Sequence, residues 1–402
     1  MHTLHDLTSG ALNGARHVRL TDLGLRTFPP QLLELADTLE VLDLSGNQLS
    51  TLPDDFARFT RLRIVFASNN PFTSLPVVLG QCPQLEMVGF KACRIAHVPE
   101  NSLPARLRWL ILTDNQLTQL PASLGQRPRL QKLMLSCNQL SALPDLSACH
   151  RLELLRIASN QFTHIPANLL QLPALAWPAL AGNPMTQKSE LSALSTQGLE
   201  PYFNENFHMH ELLGEGASGH IYRATHASTG KMLAVKVFKA AATSDGTPQS
   251  ELAAGLAAGQ HPNLLTPLAR VEDLTQGKLA MALPLLPAGF VNLAGPPSFA
   301  SCTRDVYAPD ARCTAASAEH LLTCIRSAVE HLHAHDVLHG DLYAHNILWN
   351  PQTGEALLSD LGAALLTRDL PDSEVKQLQA MEWRAFAHLA QEVYALCAEE
   401  TK

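Results

Sequence analysis

The feature that most restricts the fold of this chain is a repeat of 22 or 23 residues in its first half. Each copy has leucines at fixed positions, as in the segment from Leu39 to Pro53, together with one asparagine. The asparagine position recurs as Asn47, Asn70, Cys93, Asn115, Asn138, Asn160 and Asn183. A unit this short cannot bury its own leucines, so neighbouring units must stack around one continuous core. The repeat therefore predicts a solenoid.

The pattern is similar to the leucine-rich repeat in its form with a Leu-Pro step, and it extends from about Val18 to Pro184. This resemblance implies an α/β solenoid of about eight repeats over residues 1–184. The asparagine amide can satisfy backbone groups where the chain turns inside the stack. We expect the loss of one such amide to cost about 1–3 kcal/mol.

The short strand of each repeat is expected to expose alternate residues on the concave face. An exposed apolar strip usually marks a binding surface, and several of these alternate residues are apolar. We therefore expect a protein or peptide ligand on this face. The strip consists of Phe66, Met87, Trp109, Ile111 and Met134, of which Phe66, Trp109, Ile111 and Met134 are the predicted contacts. Alternatively, the first residue of each strand packs sideways against its neighbours, which would take Met87 and Trp109 out of the strip.

A polar segment without repeats follows over residues 185–206 and is interpreted as a cap or linker. Within it, Ser189 to Leu199 has the composition of a short helix, which Pro201 would end. The formal net charge of the chain is −8, which argues against a nucleic-acid-binding surface. The N-terminus has no basic start followed by an apolar run, so we expect no secretory signal.

The uncharged run from Leu279 to Cys302 is long enough to span a bilayer. It contains four prolines, so we do not expect a membrane span. The eight cysteines are scattered without the paired spacing of metal sites, which favours reduced thiols and a cytoplasmic location. Cys302 and Cys313 fall in one predicted loop, and a disulfide between them stays open as an alternative.

The second half of the chain contains a glycine-rich segment between two predicted strands. Gly214, Gly216 and Gly219 have the spacing G-x-G-x-x-G, and Lys236 follows Gly219 by seventeen residues at the end of the run Leu-Ala-Val-Lys. Glycines allow a backbone to close over phosphate groups without clashes of Cβ atoms. The lysine requires a carboxylate partner, and Glu251 in the next helical run is the candidate. A packing leucine is expected four residues after this glutamate, but the chain has Gly255, so the register of the helix stays open at this point.

A third motif contains the groups that MgATP chemistry requires. Asp341 precedes Asn346 by five residues, and Asp360 follows Asn346 by fourteen residues, just before Leu361 and Gly362. Asp341 can accept a proton from an attacking hydroxyl, and Asn346 and Asp360 can hold Mg²⁺ against the phosphates. Each motif is weak alone, but their order and spacing together indicate phosphoryl transfer.

These motifs resemble those of the protein kinases. The resemblance implies an α+β domain of two lobes over residues 207–402, with ATP and Mg²⁺ as cofactors. It implies Asp341, Lys236 and Asn346 as catalytic residues and Asn346 and Asp360 as metal ligands. The implied nucleotide contacts are Leu213, Gly214, Gly216, Gly219, Ile221, Ala234, Lys236, Glu251 and Leu348. The whole chain is similar to the leucine-rich-repeat kinases, in a soluble form of bacterial type.

The sequence departs from the kinase pattern at several places. Gly340 stands where the family has an arginine that pairs with a phosphorylated activation loop, so we expect this phosphate switch to be absent. Tyr343 stands where the family has a lysine near the transferring phosphoryl group. Only 43 residues run from Asp360 to the end, which predicts a shortened C-lobe, and Glu382 is expected to hold the catalytic-loop backbone. An insertion at residues 288–316 is interpreted as surface elaboration or a partner segment.

Three functions fit these observations. The first is an ATP-dependent protein kinase, of serine/threonine type, whose substrate or partner is recruited by the repeats. The second is a nucleotide-binding pseudokinase scaffold for protein–protein interaction, which Tyr343 and the short C-lobe favour. The third is a small-molecule kinase, against which the attached solenoid argues. Replacing Asp341 by Asn separates the first from the second, because turnover would be lost while ATP binding remains.

Overall fold

The computed structural model describes residues 2–195, 202–203, 206–216, 218–239, 243–272 and 279–397. The chain divides into two compact units, Met1–Leu175 and Ala176–Lys402. The predicted helix break at Pro201, the predicted helical residues 196–199 and Ala217 of the glycine-rich segment lie outside the described residues. The predicted domain boundary at residue 184 stays a prediction.

The first unit is a solenoid, as the repeat predicts. It begins with the short helix α1 (Leu4–Thr8) and then has one three-residue strand in each repeat. Consecutive strands pair in parallel along the chain. The central residue of each strand is fully buried or nearly so, as for Leu42 and Leu110, because it points into the stack. The strands are β1 (His17–Arg19), β2 (Val41–Asp43), β3 (Ile64–Phe66), β4 (Met87–Gly89), β5 (Trp109–Ile111), β6 (Lys132–Met134) and β7 (Leu154–Arg156).

The repeat asparagines hold the turns of this stack together. Asn138 Nδ2 donates to the carbonyl oxygens of Leu112 and Leu135, both at 2.9 Å, and its Oδ1 accepts from Leu117 N at 3.0 Å. One side chain thus satisfies backbone groups of its own repeat and of the preceding one. At the corresponding position, Cys93 makes weaker thiol contacts, to Ala67 O at 3.5 Å and to Lys91 O at 3.6 Å.

The apolar strip of the concave face is narrower than the sequence suggests. Met87 and Trp109 are 2% and 8% exposed. The first residue is buried in each of the strands β3 to β7, as in the alternative given above, but not in β1 and β2. Trp109 Nε1 donates to Met134 Sδ at 3.4 Å, and Lys132 Nζ lies 4.3 Å from the Trp109 ring centre. Phe66, Ile111 and Met134 remain partly exposed.

The second unit begins with strand β8 (Trp177–Ala179) and helix α2 (Gln187–Ser195). A six-stranded sheet follows, in the order β10-β11-β12-β14-β13-β9, and helix α3 lies between β12 and β13 in the chain. These elements are β9 (Tyr202–Phe203), β10 (Phe207–Glu215), β11 (Gly219–His226), β12 (Met232–Phe238), α3 (Pro248–Ala258), β13 (Ala269–Glu272) and β14 (Leu279–Pro284). They form the first lobe of an α+β domain.

The second lobe is built around two long helices with short strands between them. Its elements are β15 (Val291–Asn292), α4 (Ala315–Ala334), β16 (Val337–Leu338), β17 (Ile347–Trp349), β18 (Ala356–Leu358), β19 (Leu365–Leu366) and α5 (Asp372–Ala395). Thr314 caps α4 by accepting from Ser317 N. The apolar positions of α4 at helical spacing, including Leu321, Ile325 and Leu332, are buried. α4 therefore anchors the loop that follows it.

The insertion at 288–316 is only partly a surface feature, since Cys302, Thr303 and Asp305 are buried within it. Cys302 and Cys313 are both free thiols, so the alternative disulfide between them is not formed. Cys313 Sγ instead lies 3.7 Å from Cys397 Sγ. Among the helices of the described residues, none is long and apolar enough to cross a membrane.

Candidate active site

A cleft of about 570 Å³ lies in the second unit, between the six-stranded sheet and the strands β17 and β18. This volume is in the range of pockets that hold a small ligand. Ten of the predicted site residues line the cleft: Leu213, Gly214, Gly216, Ile221, Ala234, Lys236, Glu251, Asn346, Leu348 and Asp360. Gly219 lies on β11 and Asp341 lies on the loop after α4, and neither lines the cleft.

Lys236 and Glu251 form a buried ion pair, with Lys236 Nζ 2.5 Å from Glu251 Oε1. Burial raises the pKa of Glu251 to about 7, against the attraction of Lys236. Burial also opposes the charge on Lys236, but the carboxylates of Glu251 and Asp360 outweigh it and raise the pKa of the lysine. The cleft therefore presents a fixed cation that could pair with phosphate groups.

The register of α3 is settled by the residue four positions after Glu251. A packing leucine is expected at this place, but the chain has Gly255. A Cβ atom there would lie 2.4 Å from Pro267 Cδ, so Pro267 fills the space that the leucine would take. The glycine therefore does not indicate a shifted helix, and Glu251 faces Lys236.

The loop after α4 brings the predicted catalytic groups together. Asn346 Nδ2 donates to both the carbonyl oxygen and the Oδ2 atom of Asp341, at 2.9 Å each. His339 accepts from Asp341 N at 3.2 Å, and its other nitrogen contacts Ser359 O at 2.9 Å. These bonds fix the Asp341 backbone and carboxylate together.

Glu382 of α5 occupies the place that the sequence predicts for it. Its Oε1 accepts from Gly340 N at 2.8 Å, and its Oε2 accepts from His333 Nε2 of α4 at 2.7 Å. Glu382 is 3% exposed, so both contacts lie in the interior, where a charged hydrogen bond is strong. Glu382 therefore holds the catalytic loop on α5.

Asn346 and Asp360 fit a magnesium ion. Because Asn346 Nδ2 donates to Asp341, the amide oxygen is the end of the side chain that could coordinate a cation. Asp360 is held in a left-handed conformation, with φ of 59°, and its Oδ1 accepts from Gly362 N at 3.1 Å. Oxygen ligands from one or two side chains, completed by phosphate oxygens, are what Mg²⁺ takes in nucleotide sites. Within the described residues there is no cluster of three His, Cys, Asp or Glu side chains that would suggest another metal site.

Gly340 has a structural reason to replace the arginine of the kinase pattern. Its φ is 72°, and a Cβ atom would lie 2.5 Å from Ala363 O and 2.9 Å from Pro178 O. Pro178 of β8 and Ala363 therefore both approach Gly340 too closely for a side chain at this position.

Tyr343 packs against the same strand. Its ring stacks on Trp177, with ring centres 4.3 Å apart and an interplanar angle of 11°. Trp177 Nε1 also donates to Leu342 O at 3.0 Å. A lysine could not form this stacked pair, so the tyrosine is a packing residue that connects the catalytic loop to β8.

Several residues of the cleft were not found from the sequence. Met281 and Leu283 of β14 lie opposite Lys236 and Ala234 in an antiparallel register, and their alternation along the strand is the signal that could have identified them. His345 also lines the cleft, and its Nδ1 donates to Asp305 Oδ1 at 2.7 Å. No spacing in the sequence indicates this contact, because Asp305 comes from the insertion.

The model of the protein kinase domain family matches residues 207–393. Two models of the leucine-rich repeat match residues 105–162 and 38–59.

Relatives among the curated proteins match only part of the chain. The DNA damage-responsive serine/threonine-protein kinase RqkA of Deinococcus radiodurans is 31% identical over 41% of this chain and 23% of its own length. Cyclin-dependent kinase B2-1 of Arabidopsis thaliana is 26% identical over 38% of this chain and 48% of its own length. The probable serine/threonine-protein kinase roco9 of Dictyostelium discoideum is 39% identical over 15% of this chain and 2% of its own length. The chain thus spans less than half the length of each of these relatives. With the repeats and the kinase motifs both matched, the chain is a leucine-rich-repeat array fused to a protein kinase domain.

Proposed function

We propose that this chain is an ATP-dependent protein kinase that phosphorylates serine or threonine hydroxyls of a partner protein. The proposal rests on one observation, namely that the same cleft is lined by Lys236, Glu251, Asn346 and Asp360. Asp341 is attached to this cleft through its hydrogen bonds with Asn346. This arrangement supports phosphoryl transfer, because the groups that would hold the phosphates and the metal share one cleft with the proposed base attached to it.

Each residue has a role that follows from its contacts. MgATP, when bound, supplies the phosphoryl group and a metal ion that neutralises its charge. Lys236, held by Glu251, would pair with the α- and β-phosphates, and Asn346 and Asp360 would supply the oxygen ligands of the metal. Ala234 and Leu348, which both line the cleft, would contact the adenine ring.

Asp341 acts on the acceptor. Its carboxylate is oriented by Asn346 Nδ2, and it accepts the proton of the attacking hydroxyl as the bond to phosphorus forms. Tyr343 supplies no positive charge, so stabilisation of the transferring group rests on Lys236 and on the metal. We therefore expect a slow enzyme compared with kinases that have a lysine at this place.

Serine and threonine are the acceptor side chains that the comparisons favour, because two relatives are named as serine/threonine kinases. The solenoid supports a macromolecular rather than a small-molecule acceptor, since solenoids present extended surfaces for protein partners. The partly exposed residues Phe66, Ile111 and Met134 mark the concave surface on which we expect the partner to bind. Trp109 is largely buried, so we expect it to pack beneath this surface and to contribute little direct contact with the partner.

The test is incorporation of phosphate from labelled MgATP by the purified chain and by its Asp341→Asn variant. The replacement keeps the size of the side chain and removes the proton acceptor, so label on the wild type alone is the expected result. The control is nucleotide binding by both proteins, which the variant should retain. Label on neither protein, with nucleotide bound by both, would contradict an active kinase and support the pseudokinase scaffold. Candidate proteins and candidate metabolites tested as acceptors separate the protein kinase from a small-molecule kinase.

A further inference from the structure

Helix α2 lies directly after the last repeat, yet its contacts are with the catalytic domain. Glu190 is fixed by its own segment, because its Oε1 accepts from Gly182 N at 2.9 Å and from Thr186 Oγ1 at 2.7 Å. Its second carboxylate oxygen, Oε2, accepts from Ser250 Oγ of helix α3 at 2.9 Å. The side chain thus connects a rigid turn to the helix that carries Glu251.

The contact with α3 is buried and partly apolar. Ser250 is 2% exposed, so its hydroxyl has no access to bulk water as an alternative partner. Leu194 of α2 packs on the apolar cluster that contains Leu252 of α3 and Ala234 of β12. α2 therefore holds one face of α3 against the sheet on which Lys236 lies.

Other residues of α2 contact the segment between Asp360 and helix α5. Ser189 Oγ donates to Asp369 Oδ2 at 2.6 Å, and Lys188 Nζ lies 3.3 Å from Asp369 Oδ1. The hydrogen bond from Ser189 is the largest of the influences that lower the pKa of Asp369. One short helix therefore contacts both α3 and the segment that follows Asp360.

We propose that α2 is a positioning helix that keeps Glu251 paired with Lys236, with the bond between Glu190 and Ser250 as its decisive contact. Ser250 precedes Glu251 by one residue on a rigid helix, so a displacement at Ser250 moves the Glu251 carboxylate with it. Lys236 then loses the partner that holds it towards the phosphates. This inference rests on the proposed kinase function, and it makes the pairing a property of the chain itself rather than of a phosphorylated activation segment.

The experiment places a like charge against Glu190 in the full-length chain. In Ser250→Asp, a carboxylate faces the Glu190 carboxylate in a buried site, while an aspartate in the first turn suits helix α3 itself. The second variant combines Ser250→Asp with Glu190→Gln, whose amide can donate to the new carboxylate. The matched control is Ser317→Asp, because Ser317 also follows a threonine cap by three residues, at the start of α4. The structure gives Ser317 no contact with a carboxylate.

We expect Ser250→Asp to lower kcat/KM for ATP by about tenfold or more. The double variant should recover most of this loss, and Ser317→Asp should resemble the wild type. The same repulsion also lowers the stability of the folded state, which Glu190→Gln would restore as well. The rates are therefore compared well below the Tm of each variant, where every variant is folded, and the rescue then identifies the positioning contact. Full activity of Ser250→Asp, or a loss that Glu190→Gln does not repair, would overturn the proposal.

A second readout separates this inference from the proposed function. If the wild type transfers no phosphate, the proposed function fails, and the same three variants are compared by their dissociation constants for ATP without turnover. Weaker binding of ATP to Ser250→Asp, with recovery in the double variant, would still support a positioning helix. Equal dissociation constants for the wild type and Ser250→Asp would refute it.

Discussion

Gly340 allows a sharp test of how strand β8 and the catalytic loop fit together. The perturbation is Gly340→Ala, which adds one methyl group at a backbone φ of 72°. The left-handed conformation alone costs a residue with a side chain about 1–2 kcal/mol. The added Cβ would lie 2.5 Å from Ala363 O and 2.9 Å from Pro178 O, and overpacking of this kind costs about 1–3 kcal/mol more. We therefore expect a loss of about 2–5 kcal/mol in the free energy of unfolding of this unit.

The matched control is Gly230→Ala in the turn between β11 and β12. Gly230 has a φ of 66°, but a Cβ atom there would have no atom within 4 Å. The control thus measures the cost of the left-handed conformation without the clash. Differential scanning calorimetry should give a lower Tm for Gly340→Ala than for Gly230→Ala, by about 2–4 °C for each kcal/mol of difference.

The difference in Tm between Gly340→Ala and Gly230→Ala tests whether a Cβ atom at residue 340 clashes with its neighbours. If Gly340→Ala were no more destabilising than Gly230→Ala, the close approach of Ala363 O and Pro178 O to Gly340 would not exist in solution. A further consequence concerns the arginine of the kinase pattern. Gly340→Arg should lose activity rather than gain it, since its side chain would have to displace Pro178.

Two further outcomes are expected. Asn138→Ala removes the acceptor of Leu117 N and one of the two amide donors to Leu112 O and to Leu135 O, which Asn115 and Asn160 still contact. Urea unfolding should therefore show a loss of about 1–3 kcal/mol, whereas Asn101→Ala, at an exposed position, should change the free energy of unfolding by less than about 0.5 kcal/mol. Equal effects would argue against this role of the repeat asparagines. Burial raises the pKa of Glu392 to about 7, so the folded state binds the proton of this carboxyl group more tightly than the unfolded chain does. The protonated carboxyl group therefore stabilises the fold at low pH, and this stabilisation is lost as the pH rises through 7. Between pH 5 and pH 8, the Tm of Glu392→Gln should therefore fall by less than the Tm of the wild type. The same dependence of Tm on pH in both proteins would contradict the raised pKa.

The solenoid and the kinase lobes could be predicted because each depends on a local, periodic signal. A repeat of fixed length specifies its own stack, and the order of the kinase motifs specifies the cleft. The pairing of Lys236 with Glu251 also follows from this order. The uncertainty about Gly255 could not be resolved from the sequence, because the space that it leaves is filled by Pro267, twelve residues away.

Other features depend on contacts between distant parts of the chain. Tyr343 and Gly340 depart from the kinase pattern of the catalytic loop. The structure explains both departures, because Gly340 leaves room for β8 and Tyr343 packs on it. The concave strip was overestimated because alternation along a strand does not distinguish a residue that faces solvent from one that packs sideways. Burial of Trp109 depends on Lys132 and Met134 in the next repeat.

Strand β8 and helix α2 belong to the unit that contains the catalytic residues. This has a consequence for how such chains can diversify. Trp177 and Pro178, which contact the catalytic loop, lie after Ala176. We therefore expect Trp177 and Pro178 to be kept together with Gly340 and Tyr343 when repeats are duplicated, deleted or exchanged between genes. A recombination point at the end of the last recognisable repeat would separate these partners, and a chimera joined between Leu175 and Ala176 would preserve them.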